Sequence, residues 1–314
     1  MVRVLVTGTT GFLGSHIAEV LVQQGFTVRA TVRPSSSLKW LEPLNIEKFN
    51  VNFSNEASLQ KACEGVDVVV HNAGITRAKD DSEFFEVNTN ATERLAKAAI
   101  KAKASRFIFI SSLEARGPDG FSTAISAYGK SKLEAERRLS NLQNDIEMVL
   151  LRPAGVYGPR DTDLLTLFQV AKYGFLTVPA TSGKLQPVHG RDVAEAVLTA
   201  INGKAQLGPF DVAAPQTYSW QDMASALEVA MNKTLRVLNI PKEVFLGAGF
   251  ISETASKLLN QAPKLDRRRA RSLAYYSYTC NTEPFKEAFN WQARISLQDG
   301  LTETAAWYKQ QGWL

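Results

Sequence analysis

Through the first half of the chain, short runs that are apolar at nearly every position alternate with longer stretches whose apolar residues recur every three or four positions. Val68-Val69-Val70 and Phe107-Ile108-Phe109-Ile110 carry no polar residue, as expected of strands covered by helices on both faces. The pattern predicts strands over Arg3 to Thr7, Thr27 to Arg33, Val66 to His71, Phe107 to Ser111 and Glu147 to Arg152. It predicts helices over Gly14 to Gln24, Phe84 to Lys103 and Tyr128 to Leu142. Such alternation implies an α/β fold, a doubly wound parallel sheet. Beyond Arg152 the residues Pro153, Gly155, Gly158, Pro159, Gly174, Pro179, Gly183 and Pro187 break the pattern into loops. Gln186-Pro187-Val188-His189 reads as a return to the sheet, a helix follows from Asp192, and Phe210-Asp211-Val212-Ala213 reads as a further strand. The expected organisation is a sheet domain of residues 1–156 plus 186–214 and a smaller, discontinuous C-terminal lobe of residues 157–185 plus 215–314.

With 314 residues and 45% hydrophobic content, the chain can bury a large core, which argues against disorder. Cys63 and Cys280 cannot build a disulfide framework and stand in no metal-ligand spacing, so a reducing compartment, the cytoplasm, is expected. The apolar start of the chain lacks a basic segment and a small-residue cleavage site, so it does not read as an export signal. Ser252, Glu253 and Lys257 interrupt the apolar stretch from Val244 to Ala262, so it does not read as a transmembrane segment. An amphipathic helix over Val244 to Leu259 leaves room for peripheral membrane contact. The net charge of +5 suits an anionic ligand without requiring nucleic acid. The densest basic run, Lys264 to Arg271, reads first as a solvated helix face and second as an anion or headgroup contact. His16, His71 and His189 are too scattered to suggest a metal site, and none is expected. Tyr218, Trp220, Phe250, Tyr275 and Tyr276 read as core of the second lobe before they read as a substrate pocket.

The chemistry begins at the N-terminus. The apolar run Val4-Leu5-Val6 leads through Thr7, Gly8, Gly11 and Gly14 into a helix. Glycines at a strand-to-helix turn allow a tight bend and close approach of backbone to a pyrophosphate, whose charge the free amides of the helix start attract. Farther on, Ser111-Ser112 ends an apolar strand, and Tyr128 and Lys132 stand four apart on a predicted helix, so their side chains share a face. A tyrosine near its ordinary pKa of about 10 is a poor base at neutral pH, and a neighbouring ammonium favours its phenolate. The second strand supplies a reading of the cofactor. A carboxylate about twenty residues beyond the glycines would bond the ribose 2′-hydroxyl of NAD, whereas an arginine accommodates the 2′-phosphate of NADP. No acid lies between Glu19 and Glu42, and Arg33 stands at the deciding position, with Lys39 as a further phosphate contact. NADP(H) is therefore preferred, with NAD(H) as the alternative.

The Gly-x-x-Gly-x-x-Gly spacing and the Tyr-x-x-x-Lys pair, together with His71-Asn72-Ala73-Gly74, Asn88, Arg152-Pro153-Ala154-Gly155-Val156-Tyr157-Gly158-Pro159 and Ser296-Leu297-Gln298-Asp299-Gly300-Leu301, resemble the extended short-chain dehydrogenase/reductase superfamily. Its members include sugar-nucleotide epimerases and dehydratases, dihydroflavonol-type reductases and 3β-hydroxysteroid dehydrogenases. The resemblance covers nearly the whole chain and implies a Rossmann-type sheet. It implies that Tyr128 exchanges a proton with the substrate oxygen, that Ser112 hydrogen-bonds the same oxygen, that Lys132 tunes Tyr128 and holds the nicotinamide ribose, and that Asn88 supports the active-site helix. The implied cofactor contacts are Gly8, Thr10, Gly11, Phe12, Leu13, Gly14, Asn52, Phe53, Asn72, Ala73, Gly74, Ser111, Pro153 and Val156, besides Arg33 and Lys39. Asn52 stands where the family usually has an aspartate that reads the adenine amine, and Gly155 where sugar-nucleotide epimerases usually carry a diphosphate-binding asparagine. The motifs look more like the dihydroflavonol-reductase and hydroxysteroid-dehydrogenase side. The expected function is hydride transfer between NADP(H) and a ketone or secondary alcohol on a relatively apolar small molecule. The alternatives are an NDP-sugar epimerase or dehydratase with retained NAD, and a non-catalytic NADPH-binding sensor or scaffold. By analogy with relatives, a homodimer is suggested.

Overall fold

Seven strands form one sheet, and every neighbouring pair runs parallel. They are β1 (Arg3–Thr7), β2 (Thr27–Val32), β3 (Glu47–Asn50), β4 (Val68–His71), β5 (Arg106–Ile110), β6 (Glu147–Pro153) and, after three strands that lie outside this sheet, β10 (Phe210–Val212). The order is β3-β2-β1-β4-β5-β6-β10, a Rossmann-type arrangement whose crossovers change side between β1 and β4. A crevice therefore opens beyond the carboxyl ends of those two strands. The computed structural model describes residues 1–117, 124–180, 183–204, 206–258, 270, 277 and 279–314.

Alternate strand residues feed two cores. On one face Val4, Val6, Val70, Ile108 and Val149 pack with Ile17 and Leu21 of α1 (Phe12–Gln23) and Val193 and Val197 of α7 (Gly190–Asn202). On the other, Leu5, Val69, Phe107, Phe109 and Leu150 pack with Leu59 of α2 (Glu56–Cys63), Leu95 of α4 (Ala91–Lys101) and Leu139 of α5 (Ala127–Ser140). Each such side chain, withdrawn fully from water, contributes about 1.5–3 kcal/mol of apolar burial, which fixes the strand register.

Three departures from the sequence pattern have local causes. The helix expected over Phe84 to Lys103 is composite: α3 (Asp81–Phe84), a π-helical turn over Phe85–Asn90, then α4. It begins early because the Asp80 carboxylate accepts hydrogen bonds from the Ser82 and Glu83 amides. β3 and α2 escaped the reading because β3 is a mostly exposed edge strand and α2 depends on Asn55, whose side chain accepts from the Ser58 amide at 2.9 Å. Val188–His189 (β9) does not return to the main sheet; it pairs in parallel with β7 (Val156–Tyr157) in a separate two-stranded sheet.

The rest of the chain adds α6 (Leu165–Ala171) and a second parallel pair, β8 (Phe175–Pro179) with β11 (Arg236–Ile240). Helices α8 (Trp220–Met231), α9 (Lys242–Leu258), α10 (Glu283–Phe289) and α11 (Leu297–Gln310) complete it. Met223 and Leu227 of α8 pack with Leu301, Ala305 and Tyr308 of α11 around Phe168. Helix α9 spans the predicted amphipathic segment up to Leu258 and exposes Val244, Phe250 and Ile251. Among the described residues no helix is long and apolar enough to cross a membrane. Leu259, Tyr275, Tyr276 and, apart from Ala270, the basic run Lys264 to Arg271 lie outside the described residues.

Candidate active site

The glycine turn at the end of β1 has the shape its sequence requires. Gly8 adopts a positive φ of +72°, and the Gly11 amide donates to its carbonyl at 3.1 Å. A Cβ on Gly14 would lie 2.1 Å from the Gly8 carbonyl oxygen, so only glycine lets the helix pass this close to the turn. Helix α1 starts without a side-chain cap and without an acid in its first turn, which leaves its leading amides for an anion. The Thr9 hydroxyl donates to the Thr31 carbonyl at 3.1 Å. That bond ties the turn, with Thr10 next in sequence, to the end of β2, and Arg33 follows as an exposed residue just beyond the strand. A backbone cradle with no room for a Cβ at Gly14, an uncapped helix start and an adjacent arginine fit a dinucleotide.

A buried relay closes the cradle against β4. The Thr92 hydroxyl donates to the Asn88 carbonyl at 2.7 Å, so it must accept from His71 Nε2 at 2.9 Å. Nδ1 of His71 is then the acceptor for the Thr7 hydroxyl at 2.8 Å. The Thr7 oxygen in turn accepts from the Asn72 and Ala73 amides at 3.1 and 2.9 Å. His71 is therefore neutral and carries its proton on Nε2. Burial, then the Lys132 charge, pushes its pKa down to about 3.

Asn88, wholly buried in the π-helical turn, accepts from the Ile75 amide at 2.8 Å and donates to the Ile75 carbonyl at 3.0 Å and to Ser131 Oγ at 3.1 Å. It thus clamps the loop after β4 to α5. A Cβ on Gly74 in that loop would lie 2.9 Å from Asn88 Oδ1 and 3.3 Å from Lys132 Nζ. Ser126 caps α5 by accepting from the Gly129 amide at 2.9 Å, and its own hydroxyl donates to Glu114 at 2.5 Å. Lys132 is 4% exposed; its Nζ donates to the Ile110 carbonyl at 2.9 Å and sits 4.8 Å from the centre of the Phe109 ring. Burial pulls its pKa down to about 8, opposed by Glu136. Ser112 accepts from the Glu114 amide at 3.2 Å at the head of a short 3-10 turn, while the Ser111 hydroxyl is committed to Glu136.

A cleft of about 380 Å³ brings together Phe12, Leu13, Asn72, Gly74, Ser111, Ser112, Tyr128, Lys132, Pro153 and Val156 of the sequence-predicted set. Asn88 stands behind its wall. Arg33, Lys39, Asn52 and Phe53 do not line it. Lys39 lies over Trp40 and donates to Gln311 at 2.9 Å. The Asn52 side chain accepts from the Ser54 amide at 2.9 Å in a local turn, and the Phe53 ring packs beside His71. The sequence reading missed Asp81, Phe84, Glu114, Asp161 and Asp163, which also line the cleft. The Phe84 ring lies 6.2 Å from that of Tyr128. Asp161 had a visible signal, an acid just after the Gly158-Pro159-Arg160 turn; it caps its own loop by accepting from the Asp163 and Leu164 amides. Arg77 and Asp163 form an ion pair between the loop after β4 and the opposite wall.

Sequence comparison agrees with this architecture. Residues 4–213 match the family model described as the NAD dependent epimerase/dehydratase family. The chain is 30% identical to a ceramide reductase of Caulobacter vibrioides, over 99% of this chain and 96% of that protein. It is 29% identical to a UDP-glucose 4-epimerase of Vibrio cholerae, over 98% of this chain and 95% of that one. The UDP-glucose 4-epimerase structure from Thermotoga maritima superposes with a TM-score of 0.80 at 19% identity, covering 98% of this chain and 99% of that one, which is a likeness of fold. The chain belongs to the NAD dependent epimerase/dehydratase family and is an NAD(P)-dependent enzyme of that family.

Proposed function

We propose that this protein is an NADP(H)-dependent reductase or dehydrogenase that interconverts a ketone and a secondary alcohol on a relatively apolar small molecule. In this reading residues 1–156 plus 186–214 hold the cofactor, residues 157–185 plus 215–314 shape the substrate side, and the enzyme works in the cytoplasm. The observation that carries it is the gathering of Ser112, Tyr128 and Lys132 in one cleft with Phe12 and Leu13 of the cradle helix. The cofactor would lie along Gly8, Thr10, Gly11 and Gly14, with Arg33 beside its 2′-phosphate, and when bound its nicotinamide supplies or takes the hydride. Tyr128 gives the proton to the carbonyl oxygen in reduction and removes it in oxidation. Ser112 donates a hydrogen bond to that oxygen, and Lys132 keeps a positive charge beside Tyr128 and holds the ribose.

The apolar substrate class draws on the charge of the walls. Among the described lining residues Lys132 is the one cation, against Asp81, Glu114 and Asp161, with Asp163 paired to Arg77. Such a surface disfavours a substrate diphosphate. The 30% identity to the ceramide reductase, a protein named for a lipid, points the same way, and so do the motifs that look like hydroxysteroid dehydrogenases. The second reading, an NDP-sugar epimerase with retained NAD, draws on the Vibrio cholerae relative.

The two readings part on the cofactor. Freshly purified protein is analysed for bound nicotinamide, then the emptied site is titrated with NADPH and NADH by fluorescence. A site that empties readily and prefers NADPH by tenfold or more, about 1.4 kcal/mol, is the expected result. Stoichiometric, tightly retained NAD without an NADPH preference would overturn the reductase reading in favour of the epimerase.

A further inference from the structure

One turn beyond Lys132 on α5, Glu136 is 4% exposed, and it has no place among the roles assigned above. Its carboxylate accepts from Arg152 Nε at 2.9 Å, from Arg152 Nη2 at 2.5 Å and from the Ser111 hydroxyl. Those two partners stand at the ends of β6 and β5, and Ser111 directly follows Ile110, whose carbonyl receives the Lys132 ammonium. The carboxylate thus ties the carboxyl ends of two central strands to the helix that carries Tyr128 and Lys132.

The charges in this region alternate. Lys132 is followed by Glu136, then Arg152, then Asp211 on β10, which pairs with Arg116 at 2.5 Å. Arg152 offsets part of the field of Glu136 at Lys132, and Asp211, itself paired with Arg116, lies beyond it. Asp81, Glu114, Asp161 and Asp163 also line the cleft that Lys132 borders, but Glu136 is the acid whose charge acts on the buried Lys132 ammonium; His71 on β4 is neutral, and Asn88 and the Ile110 carbonyl are uncharged. A buried ammonium with no counter-charge would shed its proton.

We propose that Glu136 is a positioning residue of this site: its buried carboxylate keeps the Lys132 amine charged and fixes the strand end against which that ammonium is held. This rests on the reading of Lys132 as the group that tunes Tyr128, but its test does not depend on turnover. The expected titration of Lys132 follows from the same geometry: burial lowers it and Glu136 opposes that.

The test is a 13C NMR titration of lysine Cε in protein uniformly labelled at lysine, without added cofactor, with Lys132→Met to assign the signal. In the wild-type protein one lysine should titrate near pH 8. In Glu136→Gln, which keeps a hydrogen-bonding side chain and removes the charge, the Lys132 midpoint should fall by roughly one pH unit or more, as loss of a nearby opposite charge requires. An unmoved midpoint in a folded Glu136→Gln protein would overturn the proposal. If that variant does not fold, Arg152→Gln decides: removal of the competing cation should raise the Lys132 midpoint, and an unmoved or lowered midpoint overturns the proposal equally. The readout is a proton on one amine, so the reductase reading can fail while this inference stands, and the reverse.

Discussion

All three histidines are buried and neutral in the fold, and this makes stability acid-sensitive well above the carboxylate range. Burial, with neighbouring Arg160 and Arg191 also opposing the charge, pulls the His16 pKa down to about 4 despite its bond to the Pro159 carbonyl. Burial also pulls His71 and His189 down to about 3. In the unfolded chain each titrates near 6.5, so protonation favours unfolding; the stability is fully present above pH ~6.5 and is lost as pH falls toward the folded values. At pH 5 each histidine accounts for a loss of about 2 kcal/mol, about 6 kcal/mol for the three. The carboxyls of Asp192 and Asp211, held above their usual range chiefly by burial, work in the opposite direction. They offset part of this, so the net change should be a fall smaller than the histidine sum. His71 also matters to the site, since a proton on Nδ1 would remove the acceptor for the Thr7 hydroxyl that holds the Asn72 and Ala73 amides. The assay is urea unfolding followed by tryptophan fluorescence at about pH 7.5 and about pH 5, with the slope against urea checked for constancy. Stability unchanged to within about 1 kcal/mol, or higher at pH 5, would refute the assignment of neutral buried imidazoles.

Two further outcomes concern the cofactor. Gly14→Ala places a methyl 2.1 Å from the Gly8 carbonyl oxygen, so NADPH affinity measured by fluorescence should fall at least about tenfold, or 1.4 kcal/mol, while Gly25→Ala, where a Cβ meets nothing within 4 Å, serves as the control for handling and folding. Because Gly25 has φ +82°, some loss of stability is expected there without loss of affinity. Arg33→Glu should weaken NADPH binding by about tenfold or more and leave NADH binding within about threefold; equal losses for both cofactors would remove Arg33 from the phosphate contact.

The sheet and the residues gathered in the cleft were legible because their determinants are local. Wholly apolar runs such as Phe107-Ile108-Phe109-Ile110 announce buried parallel strands, and glycines at 8, 11 and 14 announce a tight turn, which admits no Cβ at Gly14. What was hidden depends on partners distant in sequence. β3 is polar because it is an edge, and Val188–His189 looks like a sheet strand but finds its partner in Val156–Tyr157. The π-helical turn serves Asn88, whose amide must reach the Ile75 backbone and Ser131 together, a demand no hydrophobic period records. Glu136 looks in sequence like any charged helix residue; only the approach of Arg152 and Ser111 shows that it is buried at the centre of a charge array.

In the proposed function Tyr128 is the proton donor of a carbonyl reductase whose cradle binds NADPH independently of that hydroxyl. The direct test screens wild-type protein against a panel of long-chain and cyclic ketones by NADPH oxidation. The ketone turned over fastest is then compared in Tyr128→Phe, with NADPH affinity measured on both proteins. The account predicts a fall in kcat of roughly 10²–10⁴-fold with cofactor affinity nearly intact; turnover in Tyr128→Phe close to that of the wild type would contradict it.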